Sequence, residues 1–247
     1  MSALGTHTLN TNIGAAKAAP MSDLSVSGCA IRLAAETKFT DARDCFSWLY
    51  NYAAEPLIRS RISREPIVNF VQALTLSEDF QRHKTEAWDN WVKTPASDVQ
   101  PRHKLYISPI FDEVDRCFAR LLPHLSDPNV SAFKTVMIRW MAVRPDKFIV
   151  YFHGEAARSE WAAKIAPIIE NITANPTPFT HSLSQSGLLS MAVDPVSETP
   201  ESWRSETLRQ MAGWIVEAQE NHHAPNQIVG EIYAGLAAQE IDFGSWC

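Results

Sequence analysis

The side chains of this sequence best placed to do chemistry are basic and phenolic groups that recur at every second position along short apolar runs. Around residues 147–153, Phe148, Val150 and Phe152 fall on one face of an extended chain, and Lys147, Ile149, Tyr151 and His153 on the other. Around residues 104–108, Leu105 and Ile107 oppose Lys104 and Tyr106. Arg139 joins the polar set if Val136 and Ile138 point inward in a strand over 132–140, and Leu189, Met191 and Val193 supply a fourth apolar face. A sheet built from these strands has one apolar face for helices and one carrying Lys, Tyr, His and Arg. Such a face can cradle an anion, because convergent ammonium and guanidinium groups bring charge and N–H donors together. The same pattern also describes a solvated face whose lysines reach out to water.

Those strands need helices to order them. Strands at 104–108, 132–140, 147–153 and 188–193 alternate with helices over 110–125 and 156–172. That order, β-α-β-β-α-β, predicts a ferredoxin-like antiparallel sheet. Ser108 and Pro109 offer an N-cap and first-turn proline for the first helix, and Pro167 a kink in the second. Two C-terminal helices follow, one from Thr199-Pro200 with Trp203, Met211, Trp214 and Ile215, the other from Pro225 with Ile228, Ile232 and Leu236.

The first half reads as helical. Phe46, Leu49, Tyr50, Ala53 and Leu57 form a stripe behind a Thr40 N-cap, with Pro56 as a break. Pro66 opens a second helix carrying Ile67, Phe70, Val71 and Leu74. Ser77 caps a third, whose stripe is Phe80, Lys84, Trp88, Trp91 and Val92. Residues 1–38, rich in Ala, Ser, Thr, Gly and Asn, read as a flexible leader with a short strand at 30–33. The division is therefore a leader at 1–38, a helical subdomain at 39–95, a linker, and an α+β core at 102–247. The fold class is α+β: a helical N-terminal half, the ferredoxin-like sheet, then two helices.

Composition excludes several functions. A net charge of −6 argues against nucleic acid as a partner, since phosphate neutralisation needs a basic face. The four cysteines, Cys29, Cys45, Cys117 and Cys247, contain no C-x-x-C pair, which calls for neither a metal site nor a disulfide framework. Cys45 and Cys117 fall on apolar helix faces as buried thiols. No apolar run is long enough to span a bilayer and the N-terminus has no secretory pattern, so the expected setting is cytoplasmic, without membrane. Nucleotide-binding glycine loops, H-E-x-x-H and G-x-S-x-G are absent. The D-F-G at 242–244 lacks the other kinase elements, and His222-His223 suits a helix end better than a metal. No cofactor is called for.

One set of short motifs carries a resemblance. In order, they are H-K-L-Y-I-S-P (103–109), A-F-K (132–134), R-P-D-K-F-I-V-Y-F (144–152), P-F-T-H (178–181) and G-L-L-S-M-A-V-D-P (187–195). With residues 240–246, this portion resembles a bacterial group related to a type III effector family. That family's domain also occurs as the lyase component of class V lanthipeptide synthetases. The resemblance implies elimination of phosphate from phosphoserine or phosphothreonine in a peptide or protein substrate, beside a separate kinase-like protein and without metal. It implies Lys134 as the base for the Cα proton and His153 or His181 as the acid for the leaving phosphate. Arg139, Arg144 and Arg204 become phosphate clamps, with Lys104, Lys147 and Tyr151 lining the peptide-binding face. Where the related proteins have an S-F-G-Q-H-R-like segment, this chain has S-E-T-P-E-S-W-R, and Arg204 stands in for the missing contact. The alternative is a noncatalytic accessory protein that binds a peptide or partner protein through the same cleft.

Overall fold

Apolar residues at every second position give each central strand one face for a shared core. A computed structural model describes residues 25–55, 80–85, 88–94, 99–136, 143–196 and 202–247. Seven antiparallel strands, β1 (Phe80–Lys84), β2 (Trp88–Lys93), β3 (His103–Ile107), β4 (Ala132–Val136), β5 (Phe148–Phe152), β6 (His181–Ser182) and β7 (Leu189–Val193), stand in the order β1-β2-β4-β5-β3-β7-β6. Leu105 lies opposite Val150 and Met191, Ile107 opposite Phe148 and Leu189, and Phe133 opposite Val150, so all share one face.

Two helices cover that face. Helix α3 (Val114–Leu121) buries Val114, Cys117, Phe118 and Leu121, and α4 (Glu155–Ile169) buries Trp161, Ala162, Ile165 and Ile169. Phe118 stacks on Phe148 at 5.7 Å and Trp161 meets Phe152 at 5.7 Å. Each such fully buried large side chain contributes about 1.5–3 kcal/mol of transfer free energy. The expected helix over 110–125 is shorter than its apolar stripe. Ser108 turns its hydroxyl to Thr177, 2.7 Å away, instead of capping the helix, and 3-10 turns at Phe111–Glu113 and Leu122–His124 flank α3. Pro167 sits inside α4 as expected.

A second core is mainly helical, with Phe179, Phe243 and Trp246 joining it from outside the helices. Helices α1 (Val26–Glu36), α2 (Ala42–Asn51), α5 (Trp203–Glu220) and α6 (Pro225–Ala238) pack through Ile31, Leu49, Leu208, Met211, Ile215, Ile232 and Leu236. Gly235 lets α6 approach α5 closely, since a Cβ there would lie 2.8 Å from the Trp214 ring. Asp41, one residue beyond the expected Thr40, caps α2 by accepting from the Asp44 N–H at 2.8 Å. Cys45 and Cys117 are buried, as their helix faces predict. Among the described residues no helix is long and apolar enough to cross a membrane.

Three sequence expectations differ from what the chain does. The strand at 30–33 and the end of the leader are α1, capped by Ser25, whose hydroxyl accepts from the Gly28 N–H. Its composition looks featureless because the stripe is built from Ala30, Ile31, Ala34 and Ala35; alanine favours helix and lets the neighbouring helices close in. The helix expected from Ser77 is the hairpin β1–β2 over its described part. Phe80 and Trp91 suit a helical stripe, yet both rings pack on Phe133 of β4, at 5.5 and 5.8 Å. Cross-strand burial of aromatic residues outweighs local propensity there. The four expected strands are thus embedded in seven. The helix expected from Pro66 lies outside the described residues.

Burial of α1 has a measurable consequence. Ile31 is fully buried between helices distant in sequence. Ile31→Ala should lower the unfolding free energy by about 2–5 kcal/mol, read from the urea midpoint. A flexible leader would show no change.

Candidate functional site

On the sheet face away from α3 and α4, register sets side chains in two rows. Lys134 of β4 is level with Ile149 of β5, Tyr106 of β3 and Ser190 of β7. One row over, Ala132 is level with Tyr151, Lys104 and Ala192. Neighbouring strands are about 4.8 Å apart, so Lys134 and Lys104 reach Tyr151 from opposite sides. Their ammonium nitrogens lie 5.8 and 5.3 Å from the centre of its ring.

The two lysines are treated differently by their surroundings. Lys104 is 3% exposed and pairs with Asp194 at 2.5 Å. The same carboxylate accepts from the Trp203 N–H at 3.0 Å, so it also tethers the start of α5. Trp203 in turn packs with Tyr106, Ile149 and Ala192. Lys134, by contrast, forms no ion pair or hydrogen bond among the described residues. Its ammonium rests 4.6 Å from the Trp88 ring. Burial pushes its pKa below the ordinary lysine value, against the pull of Asp146.

Loop and helix residues roof the face. Arg144 holds both Asp146 oxygens, with Nε at 3.0 Å and Nη2 at 2.9 Å, and Nη2 also donates to the Tyr50 hydroxyl at 3.0 Å. Arg204, 2% exposed, donates to the carbonyls of Pro178 and Tyr50, both at 3.0 Å. Its Nη1 has no hydrogen-bond partner and lies 4.0 Å from Asp146. Both guanidinium groups stack on the Tyr50 ring, at 5.1 and 4.5 Å, and Arg144 also lies 5.2 Å from the Trp88 ring that Lys134 touches. Trp88 is therefore flanked by a guanidinium and an ammonium, a favourable use of its ring quadrupole.

Charge and proton inventories follow. Among the described residues four cations, Lys104, Lys134, Arg144 and Arg204, meet two carboxylates, Asp146 and Asp194, leaving two positive charges when Lys134 is protonated. A local cationic pocket thus sits in a chain whose total is −6. The phenols stay protonated: burial pushes Tyr151 up to about 12 and Tyr106 well above the ordinary tyrosine value. The site so holds a base-competent amine, clamps for an oxyanion, and neutral O–H donors.

Of the residues singled out from sequence, Lys104, Lys134, Arg144, Tyr151 and Arg204 converge here. Lys147 does not. Fully buried, its ammonium reaches Glu55 at 3.1 Å, and Glu55 also accepts from the Phe111 N–H at 2.9 Å and Asn175 at 3.2 Å. This network ties loops together. His153 is exposed in the turn joining β5 to α4. His181 pairs across from Met191, on the helix-covered face, where it bonds Ser245 and lies 3.9 Å from Asp242. Arg139 lies outside the described residues. Sequence reasoning did not single out Tyr50, Trp88, Asp146 or Asp194. Asp146 stands inside the R-P-D-K string, where a carboxylate beside cations was the available signal; Asp194, in A-V-D-P, has no cation beside it in sequence.

No protein-family model and no curated protein sequence matches the chain. Among solved structures, the effector protein from Pseudomonas syringae pv. tomato strain DC3000 superposes with a TM-score of 0.51 at 11% identity, over 76% of this chain and 87% of that one. The effector protein from Pseudomonas syringae pv. syringae strain 61 gives 0.51 at 11% identity, over 85% and 92%. The type III effector/phosphothreonine lyase OspF from Shigella flexneri gives 0.43 at 14% identity, over 68% and 98%, a score too low to carry an inference. The chain shares its α+β fold with the two Pseudomonas syringae effector proteins.

Proposed function

We propose that this chain is a phosphoserine or phosphothreonine carbon–oxygen lyase acting on a peptide, in the maturation of a peptide natural product beside a separate kinase-like protein. One observation carries the reading: among the described residues, a half-buried lysine with no ion pair shares a sheet face with cations that exceed their carboxylates by two. A phosphate group bound there supplies the missing negative charge. The motif resemblance of residues 103–195 to a lyase component points the same way. The central strands β4-β5-β3-β7 are read as the ferredoxin-like arrangement, a scaffold that by itself decides no activity.

The chemistry balances with these groups. Neutral Lys134 takes the Cα proton, and that electron pair forms the Cα=Cβ double bond as the Cβ–O bond to phosphate breaks. Tyr106 or Tyr151 gives its phenolic proton to the departing phosphate, and Phe substitutions at each assign the donor. The proton on Lys134 then returns to the tyrosinate through solvent. Arg144 and Arg204 hold the phosphate oxygens, and Lys104 balances charge beside them. Because Lys134 must be neutral, kcat should rise with pH along a limb whose pKa lies below the free lysine value.

The test is mass spectrometry of a phosphoserine peptide incubated with the purified chain. Elimination removes phosphoric acid and leaves a dehydroamino acid, whereas hydrolysis restores serine. A second reading, a noncatalytic accessory that binds peptide in the same cleft, is favoured by the roof: Arg144 and Arg204 already direct most of their donors to Asp146, Tyr50 and Pro178. Peptide binding with no change of mass, indifferent to phosphorylation, would replace the lyase with that reading.

A further inference from the structure

The opposite face of the sheet holds a second group of buried donors that nothing in the cleft uses. Arg158 lies in the first turn of α4, in line with the buried Trp161 and Ala162, and is 2% exposed. Among the described residues its one side-chain hydrogen bond is from Nη2 to Glu155 at 3.4 Å, and Nε and Nη1 are buried with no hydrogen-bond partner. Nδ1 of His103 is also buried with none. His103 begins β3 opposite Phe152 and Val193, and Phe152 is followed within two residues by Gly154, the N-cap of α4. The guanidinium, the imidazole and the helix start therefore occupy one end of the sheet.

No side chain caps α4. A Cβ at Gly154 would meet nothing within 4 Å, and the first four N–H groups of a helix have no carbonyl of their own helix to bond. Among the described residues, the one carboxylate paired with Arg158 is Glu155. That carboxylate is 73% exposed, and its 3.4 Å contact is longer than the 2.7–2.9 Å of a charge-assisted hydrogen bond. Burial first, and the Arg158 charge second, hold the His103 pKa below the ordinary imidazole value, against the opposing pull of Glu155.

We propose that Arg158, His103 and the uncapped N-terminus of α4 form an oxyanion site for a phosphate-class ligand, separate from the cleft and on the other face of the sheet. The anion takes the place that Glu155 holds loosely, and the exposed glutamate swings into solvent. Its oxygens satisfy Nε and Nη1 of Arg158 in the paired geometry a guanidinium prefers, and accept from the first-turn N–H groups. The proposal does not depend on the cleft being a lyase.

Inorganic phosphate titrated into the full chain with 13C-labelled histidine should move the His103 ring resonances saturably, at constant ionic strength set with chloride. Arg158→Met should weaken that response by about tenfold or more, since it removes the charged fork. Glu155→Ala should tighten it several-fold by removing the competing carboxylate. If Arg158→Met does not fold, Glu155→Ala, a change at an exposed residue, decides alone. A response unaltered in Arg158→Met, one that is unchanged or weaker in Glu155→Ala, or one that chloride reproduces would overturn the proposal.

Discussion

Replacing Lys134 with methionine should lower kcat for phosphate elimination by about 10²–10⁴-fold, the span general-base catalysis commonly supplies, with phosphopeptide affinity held within about threefold. Methionine keeps a flexible apolar stem against Trp88 and Tyr151, the rings that flank the lysine ammonium. What it removes is the amine. The proposed clamps Arg144 and Arg204 pair with Asp146 and Tyr50, with no contact through Lys134, so their geometry should survive. Single-turnover phosphate release reads the chemical step, and fluorescence anisotropy of a labelled phosphopeptide reads binding. A parallel loss of affinity would make Lys134 another clamp, and unaltered turnover would remove it from the mechanism.

Arg204→Met should be the costlier change for the fold, at about 3–5 kcal/mol, the range for removing one partner of a buried charged network. Its guanidinium joins three separate parts of the chain: the Pro178 carbonyl before β6, the Tyr50 carbonyl at the end of α2, and Asp146 before β5. Without it the buried Pro178 carbonyl and the partly buried Tyr50 carbonyl lose donors, and Asp146 loses a nearby positive charge. Lysine should not rescue the variant, because one ammonium cannot span acceptors arranged around a planar fork. Urea unfolding measures the effect. A loss under about 1 kcal/mol would mean that water replaces the guanidinium, as it does for exposed pairs.

Two-residue alternation made much of the sheet legible before any coordinates. Leu105, Ile107, Phe148, Val150 and Phe152 could only share a face if the strands were extended, and Lys104, Tyr106 and Tyr151 then had to share the other. The helical stripes of α3, α5 and α6 were equally plain, because each has apolar residues at intervals of three and four. Local pattern misled where long-range contacts chose the state. Phe80 and Trp91 fit a helix as well as a strand until Phe133 is beside them. The alanines of α1 carry little hydrophobic signal until α5 and α6 close over them.

For the candidate site, the sequence by itself determined which groups could face the same way; pairing was beyond it. Lys104, Lys134 and Lys147 are three lysines on strands or their edges, and nothing in their spacing says that one meets Asp194, one meets Glu55 and one rests against the Trp88 and Tyr151 rings. His181 fell to the opposite face because β6 joins the sheet through β7, a register set by partners rather than by its own two residues. Asp146 and Tyr50 lie 96 residues apart and become one clamp through Arg144. Strand alternation is a local steric rule, so it can be read along the chain. Counter-ion choice and the desolvation that depresses the Lys134 pKa depend on distances between segments remote in sequence, and only the tertiary structure decided them.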